Sequence, residues 1–210
     1  MNELAVRTIS GIVMIAIAIT AAIAGGYVFA IFAALAATAI YYEWTRIVRG
    51  WGLGWRIAGF FYALLPALSL LWIRDRSADK LDLLLWVFIV TWSTDIGAYF
   101  VGRAIGKRKL APSISPGKTV EGLVGGMIAA TLLGGAWGFV LELPPALFVL
   151  APIFALSAQA GDLFESWMKR RAGLKDSGSW LPGHGGLLDR LDGLVPVAVL
   201  TALAQLSGMA

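Results

Sequence analysis

Leu81 to Val101 reads LDLLLWVFIVTWSTDIGAYFV, an apolar run with charge only at Asp82 and Asp95. As a helix rising about 1.5 Å per residue it would span about 32 Å, enough to cross the roughly 30 Å of bilayer hydrocarbon. Runs of similar length recur at 8–24, 27–43, 56–73, 121–141, 146–166 and 187–207, cut wherever charge or turn residues intervene. With 59% hydrophobic residues, 14% charged and a mean hydropathy of +0.78, the chain is far more apolar than a water-soluble domain. These features predict an all-α, polytopic integral membrane protein of about seven transmembrane helices. Residues 1–80 form an amino-terminal group of spans, and residues 81–210 hold nearly all the polar residues of chemical interest. The first run follows an arginine, as in a signal peptide, but Tyr27 onwards is apolar again, so it reads as a retained helix.

Charge orients the spans. Of the 17 lysines and arginines, only Arg74, Arg76 and Lys80 fall in loops on the side opposite the amino terminus. The positive-inside rule therefore places the amino terminus and the loops around Arg46, Lys107 and Lys175 in the cytoplasm. Cysteine is absent, which excludes disulfides, thiol nucleophiles and cysteine-ligated metals. Any metal site must use oxygen ligands or the single histidine, His184.

Four acids then fall at one depth. Asp95 lies near the cytoplasmic end of the fourth span, Asp162 near that of the sixth, and Asp189 and Asp192 in the first turns of the seventh. Carboxylates in hydrocarbon are costly and face a cavity, a partner or an ion, so the four predict a polar crater open to the cytosol. Asp189 and Asp192 are three apart and share a helix face; with Asp162 they form a candidate set for a hard divalent cation. The alternative is that both cap the last helix and pair with Arg190, Lys169 or Arg170.

Two basic loops flank the crater. VGRAIGKRKLAPSISPGKTVEG, from Val101, brings Ser115, Lys118 and Thr119 to a helix entrance where backbone amides suit phosphate oxygens. It lacks the spaced glycines of a P-loop, and its cations would equally anchor it on anionic lipid. KDSGSWLPGHGGLLDRLDG, Lys175 to Gly193, carries His184, which alone reads as a hydrogen-bonded loop residue. The nine tryptophans mostly mark membrane interfaces, and glycines 122, 125, 126, 134, 135 and 138 mark close helix packing or a dimer contact.

Ser166-Trp-Met-Lys-Arg, followed after four residues by Lys175-Asp176, Gly178, Leu181-Pro182, His184-Gly-Gly, Asp189-Arg190 and Asp192, resembles the signature of the phosphatidate cytidylyltransferases, or CDP-diacylglycerol synthases. Asp95-Ile-Gly-Ala-Tyr, Gly102-Arg103, Gly106-Lys107, Leu110-Ala-Pro, Ser113-Ile-Ser-Pro, Lys118-Thr119 and Glu121-Gly122 are similar to the same family. The resemblance covers about the last 115 residues. It implies that CTP and phosphatidate give CDP-diacylglycerol and diphosphate at the cytoplasmic face of a bacterial plasma membrane. It implies a magnesium requirement, with Asp162 and Asp189 as ligands, room for a second cation such as K+, and a homodimer. Carried over by position, Asp162, Asp189 and Lys175 are the candidate catalytic residues. Asp95, Ser115, Lys118, Thr119, Lys169, Arg170, His184 and Arg190 are candidates for substrate binding, and Asp192 joins the metal set. No nucleic-acid partner is expected. Most members carry a longer amino-terminal half than this chain.

The chemistry accounts for such a set. A phosphate monoester has a second pKa of about 6, so the nucleophile is already largely a dianion and needs no strong base. What the reaction needs is relief of repulsion between polyanions, in-line placement and stabilisation of the departing diphosphate, which a metal and a ring of cations supply. The rival readings are a CTP-dependent lipid kinase, which would release CDP, and a membrane transporter with intramembrane acids.

Overall fold

The computed structural model describes residues 3–76 and 81–210. Lys80 and the side chain of Arg7, both counted in the charge asymmetry, lie outside the described residues. The described elements are α1 (Glu3–Ala24), α2 (Gly26–Ile47), α3 (Leu53–Arg76), α4 (Asp82–Ile105), β1 (Lys109–Ala111), β2 (Ser115–Thr119), α5 (Val120–Val140), α6 (Ala146–Arg171), α7 (Leu188–Leu191) and α8 (Leu194–Leu206). Helices α2 to α6 are each long and apolar enough to cross a membrane, and Thr8–Ala24 within α1 and α8 are shorter apolar helices. The chain is an all-α polytopic membrane protein. Its outward faces suit lipid: Ile31, Phe100, Leu132, Phe139 and Val149 are all well exposed, which lipid tolerates and water does not.

The helices outrun the apolar segments. α2 ends at Ile47, α4 at Ile105 and α6 at Arg171, each a few residues past the expected end. Hydropathy reports where hydrocarbon stops, whereas a helix persists through the interface as long as its backbone bonds are satisfied. The last turn of α6 gathers Lys169, Arg170 and Arg171 at the negative end of its dipole.

Two departures from expectation bear on the site. The seventh apolar run is not one regular helix but α7 and α8, with the ladder broken at Asp192 and Gly193. Pro196 lacks the N–H that would bond the Asp192 carbonyl four residues back. Both intervening residues keep right-handed helical angles, so 188–206 still runs for about 28 Å in one general direction. The second departure is the segment read as a Gly/Pro loop, which is an antiparallel hairpin pairing Lys109 with Thr119 and Ala111 with Ser115. Thr119 ends it and N-caps α5, accepting from Gly122 N at 3.0 Å. Glu121 closes the hairpin's base by accepting from the backbone N–H of Lys107 at 3.0 Å and of Arg108 at 3.2 Å.

Small residues set the helix spacing. A Cβ on Gly122 would stand 2.8 Å from the Ala98 carbonyl and one on Gly126 2.6 Å from that of Thr94, so α5 lies against α4 backbone to backbone. α6 packs on α4, α5 and α8. Phe154, Ala155 and Ala158 of α6 join Trp86, Val87 and Val90 of α4 and Val197 and Ala198 of α8 in the main core. A second core of Ile40, Trp44, Ile47, Val48, Ala63, Met168 and Leu188 joins α2 and α3 to the carboxyl-terminal end of α6 and to α7. Residues before and after position 80 therefore share packed interiors, with α3 lying against α8.

Candidate active site

A cavity of about 1160 Å³ opens where α1, α2, α4, β2, α5, α6 and α7 meet. Its polar part is lined by Asp95, Ser115, Lys118, Thr119, Gln159, Asp162, His184, Asp189, Arg190 and Asp192. Its apolar part is lined by Met14, Ala18, Phe32, Leu35, Ala36 and Trp92. Nine of the residues singled out in the sequence thus share one wall system, although they come from four separate stretches of chain. Geometry explains the convergence. α4 and α6 pack against each other, and α7 and the residue after it bring Asp189 and Asp192 to the same cavity.

Lys118 is the hub of the hairpin side. Its Nζ donates to Gln159 Oε1 at 2.7 Å and pairs with Asp162 Oδ2 at 2.6 Å. Gln159 in turn donates through Nε2 to Asp95 Oδ1 at 3.2 Å, so a relay of polar groups crosses from α4 through α6 to β2. In β2, Pro116 and Gly117 are exposed, whereas Lys118 is partly and Thr119 fully covered. Asp162 also accepts from Ser166 Oγ at 3.3 Å, and Asp192 Oδ1 accepts from Gly193 N at 2.8 Å.

Asp189 is held differently. Its oxygens accept from Lys169 Nζ at 2.5 Å, Ser177 N at 2.9 Å and Gly186 N at 2.8 Å. Lys169 also pairs with Glu165, one helical turn earlier, at 2.6 Å. Lys169 is buried and stands behind Asp189 rather than on the cavity wall. On the far side of the same loop, Glu43 of α2 accepts from Ser177 Oγ at 2.8 Å, Leu187 N at 3.0 Å and Leu188 N at 2.8 Å.

His184 lies at the rim, its Nδ1 2.7 Å from Ser10 Oγ of α1, while Arg190 donates twice to the His184 carbonyl at 2.9 and 3.0 Å. Arg170 and Lys175 stand apart from the cavity wall. Arg170 is exposed and donates to the carbonyls of Ile114 and Leu174, and Lys175 is exposed on the loop after α6. Glu43, Gln159, Glu165 and Ser177 were not singled out by sequence. Glu43 and Glu165 carry the same signal as the four aspartates, an acid within or at the end of an apolar span. Gln159 and Ser177 carry none.

The residues can be tested against a hard divalent cation. Asp162 and Asp192 line the cavity and offer the carboxylate oxygens that suit magnesium, although Asp162 is paired with Lys118, which a bound cation would have to displace or share. Among the described residues no three acids or histidines stand together as a ready cage. A magnesium ion bound there would keep its waters and take a few carboxylates plus substrate phosphates. The donor set therefore fits magnesium. Asp189 would join it only if Lys169 gave way.

The Cytidylyltransferase family matches residues 49–207. The phosphatidate cytidylyltransferase of Brucella suis biovar 1 (strain 1330) is 37% identical over 260 residues, covering 97% of this chain and 93% of the relative. That alignment is longer than this chain's 210 residues, so the relative carries segments without a counterpart here. The phosphatidate cytidylyltransferase of Bacillus subtilis (strain 168) is 50% identical over 123 residues, 57% of this chain and 46% of the relative. That of Haemophilus influenzae (strain ATCC 51907 / DSM 11121 / KW20 / Rd) is 48% identical over 123 residues, 54% of this chain and 42% of the relative. With three quarters of its length matched and with relatives aligned almost end to end, the chain belongs to the cytidylyltransferase family.

Proposed function

We propose that this protein transfers the cytidylyl group of CTP to phosphatidate, forming CDP-diacylglycerol and diphosphate at the cytoplasmic face of a bacterial plasma membrane. The observation that carries the reading is a cavity lined both by acidic and basic residues of β2, α4, α6 and α7 and by apolar residues of α1 and α2. Such a space suits a substrate with a phosphate head and two hydrocarbon tails. The head would meet Lys118 and Arg190, and the tails would leave past Met14, Ala18, Phe32 and Leu35, between α1, α2 and α4.

In the proposed step a phosphate oxygen of phosphatidate attacks the α-phosphorus of CTP, the bond from that phosphorus to the bridging oxygen breaks, and diphosphate leaves with its electrons. Lys118 and Arg190 place cationic donors where anionic oxygens crowd together, and they lower the barrier by being held in position beforehand. Gln159 and Asp95 orient Lys118. A bound divalent cation, held by Asp162 and Asp192 with Asp189 beside them, would neutralise the triphosphate and the departing diphosphate. Asp189, gripped by Lys169, Ser177 and Gly186, fixes the loop that carries His184. Ser115 and Thr119, on the hairpin wall of the cavity, would face the nucleotide. Lys175 and Arg170, on the exposed rim, would guide the polyanionic nucleotide inward.

Purified protein in detergent, given CTP, phosphatidate and magnesium, should release diphosphate only when all three are present. Release of CDP would instead make the protein a lipid kinase, and solute flux in liposomes without turnover would make it a transporter.

A further inference from the structure

Glu43 lies on α2, before the segment matched to the family, and has no exposed surface. Three donors converge on its two oxygens: Ser177 Oγ, Leu187 N and Leu188 N. The last two are N–H groups at the start of α7, which have no partner within that helix. Gly178 and Gly186 pack directly against the carboxylate, and a Cβ on Gly186 would stand 2.5 and 2.6 Å from its oxygens. The loop's glycines therefore leave the room that this side chain fills. Asp189 grips the same segment from the other side, through Ser177 N and Gly186 N. Ser177 and residues 186–188, the two ends of the loop, are thus tied together by two carboxylates from different parts of the chain.

We propose that Glu43 is a positioning residue for the reaction described above: it locks the loop 177–188, which carries His184 and leads into Asp189 and Arg190, against α2. The inference rests on that reading for the reaction, but the geometry it asserts can be measured without it. A glutamine is nearly the same shape and offers one acceptor oxygen, so its NH2 group must face a donor whichever way it turns. An aspartate is a poorer fit but keeps both acceptors. A side chain that only filled space would rank glutamine above aspartate, and a carboxylate clamp ranks them the other way.

The chain has no cysteine, so spin labels can be placed at Arg49→Cys and Ser179→Cys without other changes. Both positions are exposed, one after α2 and one on the loop. The distance distribution between them should be narrow with Glu43, broad in Glu43→Gln and intermediate in Glu43→Asp. Turnover of CTP and phosphatidate should fall at least tenfold in Glu43→Gln and less in Glu43→Asp. If Glu43→Gln does not accumulate as folded protein, Ser177→Ala removes one of the three bonds and should broaden the distribution while lowering turnover several-fold. A Glu43→Gln or Ser177→Ala protein with the original narrow distribution overturns the proposal, whatever its turnover. A parent protein with no turnover but the expected broadening refutes the reaction and leaves the clamp standing.

Discussion

Replacing Asp189 by asparagine should destabilise the protein even where no divalent cation is present. The carboxylate accepts from an ammonium group and two backbone N–H groups, and its side chain is 6% exposed, with that of Lys169 at 10%. Asparagine offers one acceptor oxygen, so its NH2 group faces either Lys169 or the backbone donors. Glu165 still pairs with Lys169, so the loss is that of a hydrogen bond between charged groups and a mismatched NH2 group, about 1.5–3 kcal/mol. In a chain of this size each kcal/mol moves the unfolding midpoint by about 2–4 °C, which gives a drop of roughly 3–12 °C. Asp162→Asn is the control. Its pair with Lys118 is partly open, at 30% and 18% exposure, and such a screened pair is worth about 0–1 kcal/mol, a drop of at most about 4 °C. Tryptophan fluorescence during thermal unfolding in detergent with a chelator would read both. A drop for Asp189→Asn no larger than that for Asp162→Asn would refute the view that Asp189 holds the loop.

Lys118→Met removes the cation between Gln159 and Asp162 and should lower turnover by about 10²- to 10³-fold while the protein remains monodisperse on size exclusion. A cysteine at Ser113, on the hairpin beside the cavity, should react with an impermeant maleimide from the cytoplasmic side of the membrane and not from the other.

The apolar runs announced helices α2 to α6 because crossing a bilayer demands length and hydropathy together, and both are local properties. The acids at one depth were legible for the same reason: Asp95 and Asp162 sit at similar distances from the carboxyl ends of their runs, so parallel alignment of those two helices brings them level. What escaped reading depends on partners distant in sequence. Glu43 meets Ser177 across 134 positions, and Gln159 meets Lys118 across 41. Glu43 ends its apolar run, where an acid reads as interfacial, and nothing local says that it is buried. The hairpin escaped because Ser115 to Thr119 has the composition of a turn, with Pro116 and Gly117 on an exposed edge. The break before α8 was signalled by Gly193 and Pro196, but hydropathy alone passes over both.

The most direct measurement follows the phosphorus atoms of CTP. Purified protein would be incubated with phosphatidate, magnesium and CTP labelled either at the α-phosphate or at the γ-phosphate, and the lipid extracted. The account predicts that the α label enters the lipid while the γ label leaves in diphosphate, one for each lipid formed. Label from the γ-phosphate in the lipid, with CDP released, would contradict it, and so would lipid unlabelled by either substrate.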